Sequence, residues 1–313
     1  MATSAANSRP SPGSGPIGRK PCGPSSESSA VPALKRVSFE FFPPRDADGL
    51  ARLERVRARL DAAGPEFYSV TYGAGGSTRD RTRDLALAIH AEGRTVAPHL
   101  SIGSDAPDAV NGLLDAYRDA GIRHIVALRG DVPSGMGNRS EVYYANELVA
   151  RIRKHSGDHF QVHVAAYPEV HPDARSPESD LAYFADKVAA GADEAITQYF
   201  YNADAYFDFV DRCEQAGVKV PVVPGVMPIT NYANLARFSD GCGAEIPRWI
   251  RKRLEHLQDD PPSLQAFGLD VVTDLCERLL AGGVPGMHIY SMNQSKVPLA
   301  LLDRLGHPLA ERN

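Results

Sequence analysis

From residue 36 onward, short runs of β-branched and aromatic residues alternate with helical patterns, and they do so eight times. The predicted strands are Val37–Phe42, Phe67–Tyr72, Thr95–Ser101, His124–Leu128, Gln161–Ala166, Glu194–Phe200, Val220–Val226 and Met287–Ser291. The stretches between them carry apolar stripes at three-four spacing, the mark of a helix with one buried face. One stripe is Leu50, Leu53, Val56 and Leu60; another is Leu264, Phe267, Val271, Leu275 and Leu279. Eight such units predict an α/β fold, a (β/α)8 TIM barrel forming a single domain. The rival is an open doubly wound sheet, which calls for a Gly-rich turn after the first strand. Here that turn reads Pro43-Pro44-Arg45-Asp46, and Gly73–Ser77 has the wrong spacing for a dinucleotide fingerprint. The stretch between strands seven and eight is too long for one helix. It predicts helices near Tyr232–Phe238, Pro247–Leu257 and Leu264–Leu280, with Pro261-Pro262 separating the last two.

Residues 1–35 lack this periodicity. Ser, Pro and Gly fill 18 of these 35 positions, too little apolar surface to offset ordering entropy, so a disordered tail is expected ahead of a barrel over 36–313. The tail has a net charge of +3. The remainder, with 30 basic and 38 acidic residues, is −8. An overall charge of −5 argues against generic nucleic-acid binding. No apolar run reaches the length of a membrane span, and no apolar signal core exists. The tail also has the basic, acid-poor character of a transit peptide, but Pro and Gly interrupt any amphipathic helix, so a solvated tail is favoured. Cys22, Cys213, Cys242 and Cys276 form no paired motif and read as free thiols in a reducing compartment, here the cytoplasm.

In such barrels chemistry gathers at the C-terminal ends of the strands. Glu40 stands there among Phe39, Phe41 and Phe42, followed by Thr71-Tyr72-Gly73, His99, Arg129-Gly130-Asp131, Tyr167-Pro168-Glu169 with His171, Gln198, Tyr290 and Asn293. Burial of Glu40 would raise its pKa and make it a general acid. The alternative is that Glu40 points outward and pairs with a helix cation. Asp131 can equally be a turn aspartate, and His99 a satisfied core histidine. The spacing of His155, His159 and His163 is helical, but Gly157 interrupts it, which disfavours a metal site. A metal-dependent lyase or hydrolase using Glu40, His99, Asp131 and His171 stays open on residue types.

Seven ordered motifs carry a resemblance. They are VSFEFFPPR (Val37–Arg45), SVTYGAGG (Ser69–Gly76), APHL (Ala97–Leu100), HIVALRGD (His124–Asp131), AAYPEVHP (Ala165–Pro172), GADEAITQYF (Gly191–Phe200) and Pro224-Gly225 with Pro228 and Asn231-Tyr232. Across 36–305 the chain resembles the methylenetetrahydrofolate reductase family. That resemblance implies a barrel holding FAD and a ping-pong reaction in one-carbon metabolism and methionine biosynthesis. NADH or NADPH is the reductant, and 5,10-methylenetetrahydrofolate becomes 5-methyltetrahydrofolate. It implies Glu40 as the acid that protonates folate N10, and Asp131 beside flavin and pterin. Gln198 would hydrogen-bond the pterin, and Tyr232 would stack on nicotinamide or folate. FAD would be held by Thr71, His99, Arg129, Gly130, Asp131, Tyr167, His171, Asp180 and Lys187, with Ala192 packed beneath the flavin. No metal is implied, and the enzyme would be a homo-oligomer without a nucleic-acid or membrane partner. The length matches the short bacterial form, which lacks the regulatory domain of larger relatives.

Two positions depart from the family pattern. Asn293 is followed by Gln294 where Arg is common, which bears on folate or phosphate contacts. Tyr183 and Asp186 stand on a helix that often supplies more basic residues. A non-catalytic folate- or flavin-binding protein of the same fold is the third reading.

Overall fold

The computed structural model describes residues 32–73, 78–101, 107–129 and 144–310. It is a parallel barrel ringed by helices. The strands are β1 (Val37–Phe41), β2 (Tyr68–Val70), β3 (Val96–Ser101), β4 (His124–Leu128), β5 (Gln161–Ala166), β6 (Glu194–Thr197), β7 (Val222–Val223), β8 (Gly225–Val226) and β9 (Met287–Tyr290). The helices are α1 (Ala47–Leu60), α2 (Arg79–Ala91), α3 (Pro107–Ala120), α4 (Ala145–Ser156), α5 (Pro177–Ala189), α6 (Ala203–Gln215), α7 (Tyr232–Cys242), α8 (Arg248–Leu257), α9 (Pro261–Ala281) and α10 (Lys296–Arg304). The hydrogen-bonded order is β7-β6-β5-β4-β3-β2-β1-β9-β8, all parallel. This is the predicted (β/α)8 barrel, with α7, α8 and α9 as the extra helices.

The expected seventh strand, Val220–Val226, is two segments. Pro221 and Pro224 have no N–H to donate, so β7 pairs with β6 and β8 pairs with β9. The Pro224 carbonyl still accepts from His288 N at 3.0 Å, which extends the β8–β9 pairing back to the proline. Gly225 lies between the ends of β6 and β9. A side chain there would collide with the Thr197 carbonyl and the Tyr290 ring, while Gly225 N donates to Thr197 Oγ1 at 2.9 Å.

Strand alternation sorts the side chains into two cores. Phe39 and Phe41 of β1 pack outward against Tyr68 and the helices, in the large cluster that also holds Leu53 and Leu60 of α1. Phe67, Ala97, Val126 and Ile196 form a separate small cluster inside the barrel. The α1 stripe differs from expectation at its start. Leu50 is exposed, and Arg57 is buried on the inner face, bonded to both carboxylate oxygens of Glu92. The α9 stripe is buried as expected, apart from a half-buried Phe267. Pro261 and Pro262 open α9 behind Asp260, whose carboxylate accepts from Ser263 N. Leu34, within the expected tail, is buried in the outer core; residues 1–31 lie outside the described residues.

Replacing Gly225 by Ala should loosen barrel closure. We expect a loss of about 1–3 kcal/mol in urea unfolding. An unchanged midpoint would show that the close approach is unimportant.

Candidate active site

The inward positions of the barrel are largely polar. Glu40 lies on the interior face of β1, in register with Ser69 of β2 and Tyr290 of β9. Its carboxylate is 3.5 Å from His99 Nε2 on β3. The outward alternative for Glu40 therefore does not hold. Burial pushes the Glu40 carboxyl up to about 8 and the His99 imidazole down to about 3, the latter helped by His163. At neutral pH Glu40 keeps its proton and His99 is uncharged. Tyr290 lies near this carboxyl, and its hydroxyl donates to the Thr197 carbonyl at 2.6 Å.

The chain around Glu40 is pinned from the β9 side. Ser291 Oγ donates to the Glu40 carbonyl at 2.6 Å. The Asn293 amide accepts from Phe42 N at 3.0 Å and donates to the Phe42 carbonyl at 2.9 Å. Met292 and Asn293 both adopt left-handed backbone to make this turn. Thr71 N donates to the Phe41 carbonyl at 2.8 Å, so Thr71 flanks the same strand end.

A second cluster joins β4, β5 and α5. Arg129 is bonded to Asp173 at 2.6 Å, and Asp173 N donates to His171 Nδ1 at 3.0 Å. His171 lies edge-on to Tyr167, with ring centres 4.5 Å apart, and its backbone N donates to Asp180 at 3.0 Å. The Lys187 ammonium donates to the Ala165 carbonyl, and burial lowers its pKa to about 8, opposed by Asp180. The structure thus brings together Arg129, Tyr167, His171, Asp180 and Lys187. Between Tyr167 and His171, Val170 has φ of 75°. For a β-branched residue this costs about 1–3 kcal/mol and marks a constrained site.

The remaining expected residues are more dispersed. Gln198 lines a small pocket with Tyr167, Glu169 and Cys242, and its Oε1 accepts from Tyr199 N at 3.0 Å. The Tyr232 hydroxyl donates to Glu255 of α8 at 3.2 Å, which leaves its ring face as the part able to stack on a ligand. Gly130 and Asp131 lie outside the described residues. Gln294 is exposed, and Tyr183 stacks on Tyr144 at 5.8 Å. Among the described residues no group of three or more His, Cys, Asp or Glu side chains could hold a metal ion, and no helix is long and apolar enough to cross a membrane. Cys213, Cys242 and Cys276 are free thiols.

Sequence reading missed the polar floor beneath Glu40. His288 Nδ1 is 2.7 Å from Ser38 Oγ, and its Nε2 is 3.3 Å from Ser69 Oγ. His124 Nδ1 is 3.1 Å from His163 Nε2, and His163 Nδ1 is 3.1 Å from Glu194. Arg36 bonds both Glu194 and Glu66. Phe67 lies against the His124, His163 and His288 rings. Burial lowers His288 to about 3 and His124 to about 4. Burial alone would raise Glu194, but His163 and Arg36 outweigh it and hold its pKa below the ordinary value. The signal that could have found these residues is parity: His288 and Ser38 sit at the same inward register as Glu40.

A parallel barrel whose ionisable side chains converge at the C-terminal ends of its strands is the arrangement of barrel enzymes. The sequence profile of methylenetetrahydrofolate reductase matches residues 28–306. The chain is 39% identical over 271 residues to 5,10-methylenetetrahydrofolate reductase of Escherichia coli (strain K12), covering 86% of this chain and 90% of that protein. It is 38% identical over 283 residues to methylenetetrahydrofolate reductase (NADH) 1 of Arabidopsis thaliana, covering 86% of this chain and 48% of that longer protein. A Clostridium thermocellum protein described as binding two copies of 5-methyl-5,6,7,8-tetrahydrofolic acid shares the fold. Its TM-score is 0.58 at 18% identity, over 88% of this chain and 94% of that one. The chain belongs to the methylenetetrahydrofolate reductase family.

The Arg36–Glu194 pair predicts an asymmetry. Glu194 is almost fully enclosed, whereas the Arg36 side chain is 31% exposed and can rehydrate. Arg36→Met strands a buried carboxylate and should cost about 3 kcal/mol at pH 7. Glu194→Gln should cost only about 1–2 kcal/mol. The Arg36→Met penalty should shrink in acid, where Glu194 can take up a proton. Urea unfolding at pH 5 and pH 7 measures both, and the reverse order would overturn the assignment.

Proposed function

We propose that this protein reduces 5,10-methylenetetrahydrofolate to 5-methyltetrahydrofolate with NADH or NADPH and FAD, by a ping-pong course. The observation that carries the reading is the protonated Glu40 beside neutral His99 at the barrel mouth, in a chain of this family. The plant relative's name specifies NADH, which supports NADH as the reductant. FAD, when bound, supplies the hydride relay between nicotinamide and folate.

The donor set suits that cofactor. Lys187 is a half-buried cation whose ammonium donates to the Ala165 carbonyl and lies 5.5 Å from the Phe184 ring centre, with Asp180 favouring its charge, and an anionic phosphate would favour that charge further. Arg129 adds a planar cation. Arg129, His171, Asp180 and Lys187 would hold the phosphate and ribose portions, with Thr71, His99, Gly130, Asp131 and Tyr167 toward the ring system.

Glu40 gives its proton to folate N10. A protonated amine leaves readily, so the bond between N10 and the bridging methylene breaks, the five-membered ring opens, and the methylene left on N5 becomes an iminium carbon that accepts hydride. His99 stays neutral and orients the Glu40 carboxyl; a charged imidazole would stabilise the carboxylate and weaken the acid. Gln198 has both a donor and an acceptor for the pterin edge, Tyr232 offers a ring face, and Asp131 supplies negative charge toward the cationic intermediate. The reading includes a cytoplasmic homo-oligomer.

The purified protein should be yellow and bleach anaerobically with NADH. Glu40→Gln should still bleach, while the folate half-reaction slows by about 10²–10⁴-fold. Stopped-flow absorbance separates the two steps, and normal folate reduction by this variant would rule out the acid role. Because Glu40 acts protonated and burial lifts it to about 8, the folate step should hold level below that pH. It should fall as pH rises above it.

A further inference from the structure

The turn that follows β5 meets the C-terminal end of α7 at two points. Glu169 Oε2 accepts from Glu245 N at 2.8 Å, and the Glu169 side chain has no other hydrogen bond among the described residues. Gly243 ends α7 in left-handed backbone, φ 75°, and lies against Pro172; a side chain there would come within 2.7 Å of the proline ring. Glu169 is half-buried, and burial pushes its carboxyl up to about 6 against the opposing bond from Glu245 N. It is therefore ionised at neutral pH, and the bond is charge-assisted. Enclosure removes part of its hydration, and the Glu245 N–H replaces some of what is lost.

The same helix end is held from β6. The Tyr199 hydroxyl, on the residue after Gln198, is 3.0 Å from Ser239 Oγ, and Cys242 Sγ donates to it at 3.5 Å. Tyr232 stands at the other end of α7, about 16 Å away along the axis. Its hydroxyl bonds to Glu255 of α8, which is part of the same insertion. Among the described residues, the polar contacts that tie α7 to the chain after β5 and β6 thus gather at its C-terminal end. A rigid helix fixed there sets where the Tyr232 ring falls. The strained Val170 lies between Glu169 and His171. One short turn therefore carries the α7 contact on one side and the His171 contacts with Tyr167 and Asp173 on the other.

We infer that Glu169 is a positioning residue: it clamps the end of α7 so that Tyr232 meets the ring it stacks on, and it ties that helix to the turn carrying His171. The inference rests on the stacking role given to Tyr232 above. Glu169 touches no ligand in this role. An oxygen acceptor is what the clamp requires, so Gln can replace Glu and Ala cannot.

The test uses the full chain with FAD. In Glu169→Ala, amide hydrogen exchange over residues 232–245 should rise about threefold or more, and Glu169→Gln should restore it. In turnover, Glu169→Ala should raise KM about tenfold for whichever substrate Tyr232→Ala affects, with kcat changed less than about threefold, and Glu169→Gln should again restore it. Adding Glu169→Ala to Tyr232→Ala should raise KM no further. Should the alanine variant not fold, Glu169→Met keeps the bulk without the acceptor and carries the same expectations. Unchanged exchange, unchanged KM, or additive effects in the double variant would overturn the inference. A loss of FAD affinity with KM unchanged would assign Glu169 to the cofactor turn alone and overturn it as well. If the wild-type chain reduces no folate while exchange responds as expected, the reductase reading fails and the clamp on α7 stands.

Discussion

The period of two along β1 governs the site. Phe39 and Phe41 must face the helices because that is where their surface can be buried. Glu40, between them, is then forced into the barrel. At neutral pH the fold holds protonated a carboxyl that the unfolded chain would ionise, a cost of about 3 kcal/mol. That cost is absent below the ordinary carboxylate range and stops growing above about pH 8. Full burial of the two flanking phenylalanines contributes about 3–6 kcal/mol. The residues that aim Glu40 inward thus also offset the cost of keeping it there.

The neighbouring histidines matter for the charge they lack. A cation at 3.5 Å would pull Glu40 back toward the ordinary carboxylate range. Burial keeps His99, His124 and His288 uncharged instead. His288 meets Ser38 and Ser69, and His124 meets His163, without either adding positive potential. Arg36 brings a full positive charge to this interior network, and Glu194 and Glu66 pair with it directly. Charge is therefore balanced at one end of the barrel and suppressed at the other, where Glu40 keeps its proton.

The strand count, the three helices between the seventh and last strands, and the polar strand ends were legible because each depends on local period or proline chemistry. The division at Pro224 was not. Val220–Val226 reads as one apolar run, and only the pairing partners on either side reveal two segments. Leu50 belongs to a helical stripe by spacing, yet the buried face takes in Arg57, whose Nη2 is held by both carboxylate oxygens of Glu92 on the C-cap of α2 while Nη1 is buried without a partner. The three histidines at helical spacing, disfavoured as a metal site by Gly157, do separate. His155 pairs with Asp115, His159 meets the Ile122 carbonyl, and His163 turns into the barrel. No single-residue signal distinguishes those fates. The motifs supplied roles for Gln198 and Tyr232 that parity could not, since their present bonds are to Tyr199 and Glu255.

Val170 connects the two halves of the site to the cost of building it. A β-branched residue at φ 75° persists only where its neighbours allow no alternative. Here the turn is fixed on both sides: Val170 N donates to the Tyr167 carbonyl at 3.3 Å, and His171 N to Asp180 at 3.0 Å. Relaxing the backbone would swing the His171 ring away from Tyr167 and release Asp173 from His171 Nδ1, which also holds the Arg129 partner in place. The strain is thus the consequence of setting the His171 imidazole edge-on to the Tyr167 ring within one short turn, beside the Asp173 carboxylate that pairs with Arg129 from the end of β4.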